Sequence, residues 1–173
     1  LKEDKEMLLK AWEDSNQRFP RAMRSLARIY LHEFKWEEAA DCYTKALNIN
    51  RLFPDCWFSL GCCLMNVNKF EEAVAAFQQV VSQKQDDADS FSNLAICLQQ
   101  IKKLQEAHKA IVQAVRFDRK RTKLWENYII ISLNSDKLND ALFGLEEAQK
   151  ADNKWCNTPL IYEVLEDVIK KKG

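Results

Sequence analysis

The feature that most constrains this 173-residue chain is a pattern that returns every 34 residues. In blocks beginning at Pro20, Pro54, Ala88 and Thr122, the fourth residue reads Met23, Trp57, Phe91, Trp125, and the seventh Leu26, Leu60, Leu94, Tyr128. The eighth reads Ala27, Gly61, Ala95, Ile129, and the twentieth is alanine each time, at Ala39, Ala73, Ala107 and Ala141. The twenty-fourth is Tyr43, Phe77, Ile111, Leu145, and the twenty-seventh Ala46, Val80, Ala114, Ala148. Bulky and small groups alternating at fixed offsets are what two closely packed helices require. Such pairs bury their apolar faces against neighbours in an array instead of around one centre. The expected fold class is all-α, an α-α superhelix of antiparallel helix pairs.

Each block divides at a short turn, near Phe34-Lys35-Trp36, Asn68-Lys69-Phe70, Lys102-Lys103-Leu104 and Asp136-Lys137-Leu138. Acidic or amide residues follow each turn and suit a helix N-terminus. Four complete repeats are expected, 20–53, 54–87, 88–121 and 122–155. Residues 1–19, with Met7, Leu8, Leu9 and Trp12, align with the second helix of a truncated preceding repeat. Beyond Asn157-Thr158-Pro159, residues 156–173 carry Leu160, Ile161, Val164, Leu165, Val168 and Ile169 at helical spacing, followed by a lysine tail. This segment reads as a closing helix over the last repeat, or equally as the first helix of another. With 3 Gly, 3 Pro and 30% charged residues the composition is that of a helix-rich soluble protein. No run approaches the ~18 apolar residues of a membrane span. The start, Leu1-Lys2-Glu3-Asp4, is neither a secretory signal nor an initiating methionine, so a piece of a larger protein is expected.

The pattern resembles the tetratricopeptide repeat (TPR), W-x2-L-G-x2-Y followed by A-x3-F and a small residue. This sequence departs from it where Gly61 is the only glycine at the eighth position, where Ile129 replaces a small residue, and where block-end proline occurs only at Pro20 and Pro54. Longer segments, including Trp57-Phe58-Ser59-Leu60-Gly61-Cys62 and Leu124-Trp125-Glu126-Asn127-Tyr128-Ile129, resemble the C-terminal half of one branch of that family. The resemblance implies a eukaryotic intracellular protein without catalytic activity, an adaptor that assists assembly of protein complexes, including a spliceosomal ribonucleoprotein.

The residues themselves offer little for catalysis. His32 and His108 lie in different blocks, and no phosphate loop or nucleophile elbow occurs. The pairs Glu37-Glu38 and Glu71-Glu72 open second helices, where the helix dipole accounts for them. Six cysteines, at 42, 56, 62, 63, 97 and 156, form no C-x-x-C pair and no zinc-ligand spacing. Cys63 and Cys97 align with Ile29 and Ile131 and read as core groups; a vicinal disulfide between Cys62 and Cys63 is disfavoured because adjacent helical side chains diverge. A reducing compartment, cytoplasm or nucleus, is expected, with no metal or cofactor. Trp57 is expected to wedge between helices, its loss costing ~3 kcal/mol.

Binding remains. In TPR arrays the first helices line a concave groove, and the resemblance carries this role to positions two, five, six, nine, twelve and thirteen of each block. Among these, Arg21, Arg24 and Arg28 form a cationic end suited to a carboxylate or phosphate. Phe58, Met65, Ile96 and Ile130 would supply apolar pockets, and Ser25, Ser59, Asn93 and Asn127 a polar ladder for a peptide backbone, with Lys123 beyond them. The expected partner is a protein or peptide segment; the alternative is that these faces dock on other parts of a longer protein. The carboxylate clamp that holds chaperone tails is incomplete. Asn93 and Lys123 match it, but Phe58, Cys62 and Asn127 replace its other members, and in the earlier register Ser59 and Asp89 do. A secondary basic patch, Arg116, Arg119, Lys120 and Arg121, invites nucleic acid. With 26 basic against 26 acidic residues there is no chain-wide field to support it, and a solvated loop or protein contact is the preferred reading.

Overall fold

The computed structural model describes residues 2–172, excluding the side chains of Lys2, Lys171 and Lys172, so Leu1 and Gly173 lie outside it. Ten helices are present among the described residues: α1 Lys2–Asp14, α2 Pro20–His32, α3 Trp36–Ile49, α4 Pro54–Asn66, α5 Phe70–Gln83, α6 Ala88–Gln100, α7 Leu104–Phe117, α8 Thr122–Asn134, α9 Leu138–Ala151 and α10 Thr158–Lys172. They fall into two compact units, α1–α5 up to Gln85 and α6–α10 from Asp86. In the first unit α2 pairs with α3 and α4 with α5, α3 packs on α4, and α1 packs on α2. In the second, α6 pairs with α7 and α8 with α9, α7 packs on α8, and α10 rests on α9 and α8. None of these helices is long and apolar enough to cross a membrane.

The turn inside each pair has one chemistry used four times. Phe34, Asn68, Lys102 and Asp136 all take left-handed φ, between 58° and 63°. The lysine after each donates its backbone N–H to a carbonyl five residues back: Lys35 to Tyr30, Lys69 to Leu64, Lys103 to Leu98 and Lys137 to Ser132, at 2.8–2.9 Å. This left-handed cap satisfies carbonyls that the helix end would strand and reverses the chain into the second helix. Pro20 and Pro54 sit in the first turn of α2 and α4, where the missing N–H costs nothing.

Packing follows the register. Ala39, Ala73, Ala107 and Ala141 are each fully buried, as are Phe77 and Ile111 at position twenty-four. Gly61 is small because a Cβ there would lie 2.7 Å from Phe77 Cζ, inside contact distance. Leu160 and Val164 of α10 join Ile129 and Ala141 in the second unit's core, flanked by Leu133, Leu142 and Trp155. Trp57 departs from expectation: it is only half-buried, its indole Nε1 donating to the Arg51 carbonyl at 2.9 Å in exposed surroundings. Trp125, one pair of repeats later, is the buried counterpart and donates to the carbonyl of Arg119 at 2.8 Å. The difference is cover: Trp125 has Tyr128 and Phe143 edge-on against it.

Candidate functional site

On the first unit's α2, arginines spaced three and four apart share one face over about 10 Å of helix. Arg21 and Arg28 are exposed; Arg24 is half-buried, its guanidinium 4.6 Å from the centre of the Phe53 ring. Such stacking leaves the fork's edge available to an anion. None of the three forms an ion pair with a carboxylate among the described residues. Ser25, Arg28, Ile29 and His32 line a shallow cavity of about 270 Å³.

On α4, Phe58 and Met65 are half-buried, and Phe58 lies edge-on to Phe77 with ring centres 5.7 Å apart. The Ser59 hydroxyl donates to the Asp55 carbonyl at 2.9 Å. Burial raises the Tyr43 phenol above its ordinary pKa, so it stays neutral. The Asp55 carboxylate is held by Lys84 at 2.7 Å.

In the second unit, Asn93 and Ile96 of α6 are half-buried, and Ile130 of α8 is exposed. Asn127 Nδ2 donates to Ser92 Oγ at 3.1 Å, so this rung of the polar ladder is already bonded. Lys123 pairs with Glu126 at 3.0 Å. Glu126 is a node that sequence reasoning did not single out: it also accepts from Trp155 Nε1 at 3.0 Å and Asn157 Nδ2 at 3.1 Å. Burial pushes its carboxyl up, but these three donors outweigh it and hold the pKa below the usual carboxylate value. The node ties the segment before α10 to α8. Only its place at position five hinted at it, since Trp155 and Asn157 lie 29 and 31 residues away.

The 116–123 cations are mostly engaged. Arg121 pairs with Asp118 and Asp89, Arg119 with Glu147 at 2.8 Å, and Arg116 Nη1 donates to Gln113 at 3.4 Å. Lys120 has no ion pair among the described residues. A phosphate backbone would have to displace carboxylates to use this patch.

His108 is buried on α7 with Tyr128 beside it, its Nδ1 accepting from the Lys137 ammonium at 3.0 Å. The ring proton therefore sits on Nε2, which lies 3.0 Å from Asp140 Oδ2 but poorly aligned for a hydrogen bond. Desolvation and Lys137 lower its pKa, against the opposing pull of Asp140. None of the six cysteines is in a disulfide; Cys42, Cys56, Cys63 and Cys97 are buried and Cys156 is exposed.

Comparison with known proteins places this geometry. The tetratricopeptide repeat family matches residues 20–52 and again 42–75. The tetratricopeptide repeat protein 27 homolog of Dictyostelium discoideum is 44% identical over 52 residues, 30% of this chain; the match spans 6% of that relative's length. Among solved structures, YrrB, a TPR protein with an unusual peptide-binding site, superposes with a TM-score of 0.80 at 19% identity, covering 94% of this chain and 81% of that one. The MamA RS-1 ArsTM double mutant gives 0.77 at 16% identity, covering 87% and 85%. The first TPR of Spaghetti (RPAP3), bound to the HSP90 peptide SRMEEVD, gives 0.63 at 19% identity over 68% and 93%. At these identities the structures show the fold, an all-α TPR superhelix. With its repeat register, four alike turns and helix pairs, the chain has the tetratricopeptide repeat fold, matches that family at residues 20–52 and 42–75, and is similar to the protein 27 homolog where the two match.

Proposed function

We propose that the chain is a non-catalytic interaction scaffold whose first helices bind an extended partner segment. Its working repeats are 20–53, 54–87, 88–121 and 122–155, with 1–19 and 156–173 flanking them as the second helix of a preceding repeat and a closing helix. The observation that carries this reading is the contrast in arginine pairing: among the described residues Arg21, Arg24 and Arg28 have no carboxylate partner, whereas Arg119 and Arg121 do. An unpaired guanidinium stripe attracts an anionic segment and fixes it by two-pronged hydrogen bonds. Phe58 and Met65 in the first unit, and Ile96 and Ile130 in the second, offer apolar contact. Ser25, Ser59, Asn93, Asn127 and Lys123 add polar contacts. The resemblance to protein 27 supports an adaptor role in assembling a ribonucleoprotein, in the cytoplasm or nucleus, where cysteines outside disulfides would persist. The partner is a protein segment; no chaperone-tail clamp is complete, and the carboxylate pairs of Arg119, Arg121 and Lys123 argue for protein contact over nucleic acid.

The test is affinity capture from cell extract with the chain and with an Arg21→Glu, Arg24→Glu, Arg28→Glu variant whose fold is checked by circular dichroism. Specific loss of a captured protein supports the site; identical capture by both removes it. A second reading, docking within a longer protein, is favoured by the outer face of α10, where Tyr162 and Ile169 are 62% and 71% exposed. Hydrogen exchange on a longer protein separates the two: protection of the α2 face without any partner favours internal docking.

A further inference from the structure

A cleft of about 400 Å³ opens between α1, α2 and α3, apart from the α2 arginine stripe. Its floor is apolar, formed by Trp12 of α1 with Met23, Leu26 and Tyr30 of α2. Its rim is one side of α3, where Glu37, Glu38 and Asp41 stand in succession. The register explains the space. Trp12 aligns with Ala46, Val80, Ala114 and Ala148, so an indole stands where every other second helix presents a group small enough for close approach. The rim carboxylates differ in their engagement: Asp41 pairs with Lys45 at 2.7 Å, whereas Glu37 and Glu38 are exposed and form no ion pair among the described residues.

The volume and lining are those of a ligand site, apolar with polar groups gathered at one edge. We propose that this cleft is a second peptide-docking site, taking an apolar side chain of a partner segment beside Trp12 while an adjacent lysine or arginine of that segment meets Glu37 and Glu38. Charge selects the occupant. An acidic segment would bring like charge to the rim, and a wholly apolar one would leave both carboxylates unanswered. The floor supplies the affinity and the exposed carboxylates supply the choice of partner. This site goes beyond the first-helix reading and calls for a partner of opposite charge to the one the arginine stripe attracts.

The test uses the whole chain and a short peptide, acetyl-Gly-Arg-Leu-Arg-Gly-amide, followed by two-dimensional NMR. The Trp12 indole resonance is identified by its loss in Trp12→Phe. The peptide should shift that resonance and the amides of residues 37–45 saturably. Affinity should fall at least tenfold for a Glu37→Lys, Glu38→Lys variant, and to a lesser degree for Glu37→Gln with Glu38→Gln, which spares the helix start from added positive charge. Peptides with glycine for the leucine, or glutamate for both arginines, should not bind. The Arg21→Glu, Arg24→Glu, Arg28→Glu variant should bind as the parent does. Absence of a saturable shift, an affinity indifferent to the glutamates, or equal loss in the arginine variant would overturn the proposal.

Discussion

Ile129 of α8 packs into the space left by Gly144 of α9, so closely that a Cβ on Gly144 would lie 2.7 Å from Ile129 Cγ1. In the second pair the small residue is on the first helix, Gly61, and the large one on the second, Phe77. The fourth pair reverses this. The departure of Ile129 from the repeat pattern is thus compensated across the helix interface, and the side chain is fully buried.

This complementarity predicts non-additive stability. Gly144→Ala gains about 1 kcal/mol in helix propensity but overpacks, for a net loss of about 1–2 kcal/mol. Ile129→Ala should cost about 2–5 kcal/mol. The double variant should be more stable than the sum of the two losses by about 0.5–2 kcal/mol, because it removes the contact with Ile129 and leaves only that with Tyr128 Cδ1, 2.9 Å from the added Cβ. Urea unfolding of the four proteins measures this; simple additivity would contradict the exchange.

The left-handed turns predict a stabilising substitution. Lys102 sits at φ 63°, where a side chain costs about 1–2 kcal/mol. Lys102→Gly removes that strain and, after glycine's greater chain entropy, should gain about 0.5–1 kcal/mol. Asn68→Gly should gain less, because asparagine tolerates this conformation. Phe34→Gly should also gain less, because it gives up the ring contact with Trp36 at 5.9 Å. Melting temperatures rank the three, and no gain for Lys102→Gly would contradict the strain.

His108 predicts a pH dependence. Its folded pKa is lowered from 6.5, by burial first and Lys137 second. The unfolded chain therefore takes up a proton that the folded chain refuses, so stability from this group is intact above about pH 6.5 and falls as the pH drops below it. His108→Gln should flatten this part of the profile. Chemical unfolding between pH 7.5 and 5.5 tests it; an unchanged slope in the variant would assign the dependence elsewhere.

Thiol reactivity should be graded. Burial pushes the Cys42 thiol up to about 11 and the Cys63 thiol up to about 12, which suppresses the reactive thiolate as well as access to it. Cys156 is exposed. Brief alkylation of the native protein, read by mass spectrometry, should label Cys156 first, with Cys42 and Cys63 labelled only on unfolding. Early labelling of Cys63 would show that the first unit opens readily.

The candidate site was legible in part. Spacing alone put Arg21, Arg24 and Arg28 on one helical face, because residues three and four apart share a face in any helix. It could not show that they lack carboxylate partners among the described residues, while Arg121 reaches Asp89 across 32 residues and Arg119 reaches Glu147 across 28. Ion pairing between neighbouring helices depends on which side chains packing brings within reach. The Glu126 node was hidden for the same reason, and Trp57 looked like core because its position, though not its cover, matches that of Trp125.

By itself the sequence determined the repeat length, the helix pairing, the turn positions and the fully buried alanines, since a 34-residue register leaves few ways to bury its apolar faces. The tertiary structure alone decided which helix of each pair supplies the small residue, which cations are left without carboxylates, and where Trp12 opens a cleft. Those outcomes depend on distances between residues remote in sequence, and helical periodicity governs only the near ones.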